Sequence, residues 1–320
     1  MSDETIEKTF QVKAPARLII SNVRGSITIL PGEANVIEVK AIKHGSFDNG
    51  NFSVEMNQDS DGTVRVETRS NDALFGFLSH TPKVDYSVRV PQGTHVDASA
   101  VSSSINVSDL EGVFKLKTVS GDMDIANLTG PFKLKAVSGD ITGSHLAGVL
   151  ELGTVSGNVK LLESNFPNAD TSTVSGDVIL QTPILAGPYQ FGSVSGTVRL
   201  LVPAETQCNA ELKSVSGSIR SSLPASTTRM GRGMKAAQIG KGGTAVRLKS
   251  VSGDLSFEVE GVPASNVSSR TSQEKPVMPT PPSASVEQPR AALSTEDILQ
   301  RIERGELTVD EAIKLMEGQS

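Results

Sequence analysis

The tripeptide Val-Ser-Gly occurs seven times in one frame, beginning at Val119, Val137, Val155, Val174, Val194, Val215 and Val251. The first five steps are 18, 18, 19, 20 and 21 residues, and the last, 36, is close to twice the basic unit. A period of this size builds a chain by stacking one short supersecondary unit on the next. Val101-Ser-Ser-Ser-Ile-Asn-Val and Val23-Arg-Gly-Ser-Ile-Thr-Ile are degenerate members of the set.

Within a unit the apolar residues alternate: Met123 and Ile125, then Phe132 and Leu134, with Asp122, Asp124, Lys133 and Lys135 between them. That is strand periodicity. Each unit offers two short strands and two corners, with too few residues for a crossover helix. A coil that returns to lie above its own start needs none, because each strand pairs with its equivalent one layer along. The chain is therefore expected to be all-β: a single-chain β-solenoid, or β-helix, of 18–21-residue coils. Eight coils from Val101 onward, at about 4.8 Å each, make a rod on the order of 38 Å long. A narrow coil admits only modest side chains, in keeping with the absence of Trp and the 4% aromatic content.

A solenoid exposes unpaired backbone at each end and needs caps. Residues 1–100 read as an antiparallel capping meander, with Asp61-Gly62 as a hairpin signal, and 101–262 as the repeats. The long step before Val251 holds Gly231 to Gly243 and reads as a looped-out hairpin. Its Gly231-Arg-Gly-Met-Lys-Ala matches a dinucleotide fingerprint in letters only, since no strand-to-helix unit surrounds it. Residues 263–293, rich in Pro, Ser and Thr, read as a disordered linker. Helical spacing returns in 294–318. Ile298, Leu299 and Ile302 share one face before Gly305, and a Thr308-Val-Asp-Glu311 capping box opens a second helix with Ile313 and Met316 on its apolar face.

The Val-Ser-Gly-Asp repeats and their β-rich entry resemble the bacterial adhesin-type family of unknown function over 1–262. The segment Ile298-Leu-Gln-Arg-Ile-Glu-Arg-Gly-Glu-Leu-Thr-Val-Asp-Glu-Ala-Ile-Lys-Leu-Met-Glu317 is similar to the short SHOCT-like helical hairpin that accompanies it. The combination resembles bacterial proteins linked to cell-envelope stress. Neither resemblance carries a catalytic motif, so neither transfers a functional residue.

The residues point away from an enzyme and imply no cofactor. His44, His80, His95 and His145 show no metal-ligand spacing. The serines of the repeat form a column in which every layer has the same hydroxyl and none has a neighbouring His, which suits a hydrogen-bond ladder better than a nucleophile. Asp122 and Asp140, helped by Asp124, are candidate calcium ligands, though Asp is also favoured at turns for its own backbone bonds. A column of Lys115, Lys117, Lys133 and Lys135 offers itself to an anionic polymer or a membrane surface, or serves to solvate a sheet face. Nucleic acid is not expected, at a net charge of −6 and without aromatics among the lysines.

Two further surfaces suit association. Leu74, Phe75, Phe77 and Leu78 form an unalternating apolar run, either part of the cap or a docking tip. The helical tail is too small to bury its own apolar face, so self-association or a protein partner is expected there. The chain opens Met1-Ser-Asp-Glu with no apolar leader and carries a lone Cys208, which favours the cytoplasm, with peripheral placement at the inner membrane face. The expected role is a non-enzymatic binding or scaffold protein. A polysaccharide-active β-helix enzyme and a calcium-stabilised rod are the alternatives.

Overall fold

The computed structural model describes residues 3–44, 52–70, 83–231 and 233–260. All regular elements among these are β-strands, joined in one mixed sheet. The first part of the chain forms β1 (Glu4–Gln11), β2 (Arg17–Pro31), β3 (Val36–His44), β4 (Phe52–Gln58), β5 (Val64–Ser70), β6 (Lys83–Val90) and β7 (Thr94–Thr118). The repeats supply β8 (Met123–Thr129), β9 (Phe132–Ala136), β10 (Ile141–Ala147), β11 (Leu150–Thr154), β12 (Val159–Leu162), β13 (Ala169–Ser175), β14 (Val178–Gln181) and β15 (Tyr189–Val202). They end with β16 (Cys208–Ser214), β17 (Ile219–Ser221), β18 (Ala225–Gly231), β19 (Met234–Ile239) and β20 (Thr244–Val259).

Successive repeats pair in parallel and in register, so that each residue lies over its equivalent. On one face Phe114, Phe132, Leu150, Ala169 and Tyr189 form a column, and on the other Ile105, Met123, Ile141, Val159, Val178 and Val198 do so. All of these side chains are buried. Alternation along each strand sends these residues inward, and the two inner faces meet in one continuous core. Phe114 stacks on Phe132 at 5.6 Å, and Phe166 meets Phe132 edge-on at 6.1 Å.

The Val23–Ile29 copy lies within the stack. β2 pairs in parallel with β7 along both halves of its length, and on its outer side with β5 and β6. Antiparallel pairing then closes this end, as β4 on β5 and as β3 and β1 beyond β6. The β4–β5 hairpin turns at Asp59–Gly62, as its Asp-Gly signal predicts.

At the other end the stacking order departs from chain order. β15 pairs not with β16 but with β20, matching Ser195 to Ser252 and Val198 to Leu255. β16 and β17 then stack on the outer side of β20. The hairpin read from the sequence is present as β18–β19, and β19 caps β16 in antiparallel register. The last repeat is thus inserted between the two before it, and the 36-residue step is the length of chain needed to cap the end and return.

The glycine of each repeat has a steric cause. A Cβ at Gly121, Gly139, Gly157, Gly176 or Gly196 would overlap the carbonyl oxygen of the corner residue one rung below, and a Cβ at Gly253 or Gly217 would meet those of Gly196 and Gly253. Positive φ, the reason expected from a turn glycine, holds at Gly176 and Gly196 but is not general to the column. Close approach of backbone to backbone is the common factor.

Gly139→Ala should therefore cost about 1–3 kcal/mol in a urea unfolding assay, through forced displacement of two corners. Alkaline pH should also weaken the fold. Burial pushes the Cys208 thiol from 9.0 to about 11 and the Tyr86 phenol from 10.0 to about 12. Above pH 9 the unfolded chain then holds fewer protons than the folded one, so stability falls as pH rises, by up to about 1.4 kcal/mol per unit for each group. Urea titrations from pH 8 to 11 should show this decline, and Cys208→Ala should flatten it between about pH 9 and 11.

Candidate functional site

Outward residues on the face that carries β9, β11, β13 and β15 form two columns. The first runs Lys115, Lys133, Glu151, Asp170, Gln190. Its lysines do not stand as a bare basic strip. Lys115 Nζ lies 2.6 Å from Asp97 Oδ2, and Lys133 pairs with Glu151. Farther along, Arg247 Nε lies 2.9 Å from Glu211 Oε2. Such partly exposed pairs add little stability, but they cancel charge along the strip.

The second column runs Lys117, Lys135, Gly153, Ser172, Gly192, Lys249, Lys213. Lys117 is only 8% exposed. Burial, followed by repulsion from Lys133, holds the Lys135 ammonium below the usual lysine range. Between Lys135 and Lys249 three rungs carry almost no side chain, and this opens a trough of about 420 Å³. Glu151 and Asp170 stand along one wall, and Val155, Val174 and Val194 along the other.

Neither glycine in the trough is required by the backbone. A Cβ on Gly153 would meet nothing nearer than Ser172 Oγ at 3.5 Å, and one on Gly192 nothing nearer than Ser172 Cβ at 3.8 Å. Neither has a positive φ. A strand glycine costs about 0.5–1 kcal/mol relative to Ala, so the empty floor is maintained against a stability cost. The valine wall also becomes more exposed along the stack: Val119 and Val137 are buried, Val194 at the trough is 47% exposed, and Val251, beside Lys249, is 53%. Beneath the wall, the buried hydroxyls of Thr173 and Ser193 have no hydrogen-bond partner among the described residues, and both residues line the trough.

The other polar columns are engaged in the fold. Asp122 Oδ1 accepts the Asp140 amide at 3.0 Å, Asp140 Oδ1 the Asn158 amide at 2.7 Å, and Asp177 Oδ1 the Thr197 amide at 2.8 Å. Asp124 accepts the Thr142 hydroxyl. These carboxylates act as rung-to-rung ties, and among the described residues no group of His, Cys, Asp or Glu is set to hold a metal ion. In the serine column it is the backbone that forms the ladder, with Ser138 N donating to Val119 O and Ser156 N to Val137 O.

One cluster was not visible in the sequence. His44 sits with Nε2 2.7 Å from Asp85 Oδ2 and Nδ1 3.1 Å from Asp3 Oδ2, and Ser26 Oγ donates to Asp85 Oδ1 at 2.9 Å. Burial pushes the Asp85 carboxyl up, but hydrogen bonds from Ser26, His44 and Lys83 outweigh it and hold the group below its usual value. The carboxylate lies between hydroxyl and imidazole, so the serine faces Asp85 and not the imidazole that a catalytic triad places beside its nucleophile. The separation of His44 from Asp85 in the chain hid this pairing, whereas the trough did leave a signal: glycines at outward strand positions. Leu74, Phe75, Phe77, Leu78, Ile298, Leu299, Ile302, Ile313 and Met316, with the linker and the helical tail, lie outside the described residues.

Comparison with known proteins places this geometry in context. The family model described as Toastrack DUF4097 matches residues 16–258. A "putative cell adhesion protein" from Clostridium sporogenes ATCC 15579 is similar at 11% identity over 80% of this chain and 100% of that one, with a TM-score of 0.29. A "putative adhesin" from Bacteroides fragilis NCTC 9343 is similar at 13% identity over 79% and 97%, with a TM-score of 0.43. No curated protein matches the chain.

Because nothing crowds Gly153, Gly153→Ala should leave the chain as stable or raise its stability by up to about 1 kcal/mol. Urea unfolding beside Gly139→Ala checks the contrast between the two glycine classes.

Proposed function

The chain belongs to the Toastrack DUF4097 family, a domain of unknown function, and on that premise we propose that it is a non-enzymatic binding and scaffold protein built on a capped β-solenoid. The observation that carries this reading is the trough over Gly153, Ser172 and Gly192, whose two glycines are demanded neither by sterics nor by φ. A rigid floor, one apolar wall and one acidic wall suit a polymer segment lying lengthwise along the rod. The tail supplies the association module, and its sequence resemblance is what links the protein to envelope stress. The ion pairs made by Lys115 and Lys133 weaken the case for an anionic polymer on that column.

A photo-cross-linking residue placed at Ser172 of the full chain in bacterial cells should give a discrete adduct, mapped by mass spectrometry. One placed at Glu38 on the cap should give none, and Gly192→Val should abolish the Ser172 adduct. Equal labelling at both positions, or none at Ser172, would overturn the reading. So would release of reducing ends from a chito-oligosaccharide that is lost in the Glu151→Gln, Asp170→Asn variant, which would favour the enzyme.

A further inference from the structure

We propose that the trough is the docking site for this chain's own segment 295–304, laid along the rod as an amphipathic helix. The inference rests on the reading of the trough as a binding site and names its occupant.

Dimensions point to a helix. From the Glu151 column to the Val155 column is four residues of strand, about 13 Å, and a helix with its side chains is about 10–12 Å across. Lys135 and Lys249 stand four rungs apart, about 19 Å, and ten helical residues span about 15 Å. An extended peptide could not add to a sheet here, because the strands under the trough are paired on both sides. Recognition must come from side chains, as it does when a helix lies in a groove.

The segment matches the walls. Ile298, Leu299 and Ile302 share one face at helical spacing, which suits the half-buried Val174, the exposed Val194 and the bare floor. Arg301 and Arg304 are opposite in charge to the Glu151 and Asp170 wall. Glu296 and Asp297 near one end of the segment, with Glu303 near the other, are opposite in charge to the lysines that bound the trough. Arginines and acids are both needed, and the segment has both.

Connectivity favours the chain's own tail over that of a second copy. The described chain ends at Glu260, whose amide is bonded to Val202 O. That places the exit at the end of β20, level with Val202 on the face that also carries Lys160, so the linker has to round one edge of the rod to reach Gly192, and the Lys160 position starts nearer the tether. About 30 residues of linker have a root-mean-square span on the order of 30 Å, enough to reach back across the adjoining rungs. Such a tether holds the segment at an effective concentration in the millimolar range, so a modest intrinsic affinity fills the trough. The apolar face that the tail cannot bury by itself would then be covered within one molecule, and a competing partner would gain access to the trough by displacing it.

The test uses the full chain carrying Ser172→Cys and Ile302→Cys, oxidised with copper phenanthroline at micromolar protein concentration. The native Cys208 is fully buried and does not compete. The expected product is a monomer with an internal, reductant-reversible cross-link, formed at least about tenfold faster than in Lys160→Cys, Ile302→Cys, where the rod cysteine lies on the opposite sheet face under the same tether. Adding Leu299→Asp should slow it by about tenfold if the apolar face makes the contact. Equal rates for the two cysteine pairs, or a rate insensitive to Leu299→Asp, would show random collision and overturn the proposal. A disulfide-linked dimer would also overturn it, assigning the trough to a second copy. If the tail fails to cross-link while Ser172 still captures another molecule in cells, the trough remains a binding site and only its assignment to the tail is lost.

Discussion

The rod depends on the contact between the glycine of each Val-Ser-Gly and the carbonyl oxygen of the corner one rung below. Backbones can lie at strand spacing all along a flat sheet, but at a corner the side chains must point either into the narrow core or out into solvent. A residue whose Cβ would fall on the neighbouring carbonyl leaves glycine as the sole solution. With that corner fixed, the amide of the following residue reaches the Asp or Asn side chain below it, and the inward positions of every strand fall into register. The continuous core of stacked Ile, Leu, Val and Phe follows from the corner as much as from hydrophobicity.

Repetition also governs the surface. Equivalent side chains are brought to strand spacing, so like charges repel, as Lys117 and Lys135 do, unless they are alternated, tied or removed. The molecule uses all three. Lys115 meets Asp97 and Lys133 meets Glu151; the corner carboxylates accept amide protons; and Gly153, Ser172 and Gly192 carry no charge. The third arrangement has a different consequence from the other two, since removing the column leaves open space beside the valine wall. A surface that would be a uniform ladder acquires one concave, partly apolar place.

Much of the scaffold was legible. Met123 and Ile125, or Phe132 and Leu134, announce inward positions by simple alternation, and the frame of the tripeptide locates every corner. The lysine columns were legible as columns, because a period maps sequence neighbours onto spatial neighbours one rung away. Their charge partners are less legible: Asp97 lies outside the tripeptide frame, and Glu151 stands where the repeat would place another lysine. His44 and Asp85 meet through antiparallel pairing of β3 with β6, which no repeat encodes. The trough was present in the letters as two outward glycines, but only coordinates could show that nothing fills the space above them.

The sequence by itself determined the rung: its length, its inward residues, its glycine corner and its parallel pairing with a like rung. These are local consequences of side-chain size and alternation, repeated until they are unmistakable. The order of the last rungs was decided by tertiary structure alone. β15, β20 and β16 present the same pattern to their neighbours, so pairing chemistry does not distinguish β20 on β15 from β16 on β15. The choice falls to what surrounds them. The β18–β19 hairpin can cap only an outermost strand, and it follows β16, so β16 takes the edge and β20 returns to the interior.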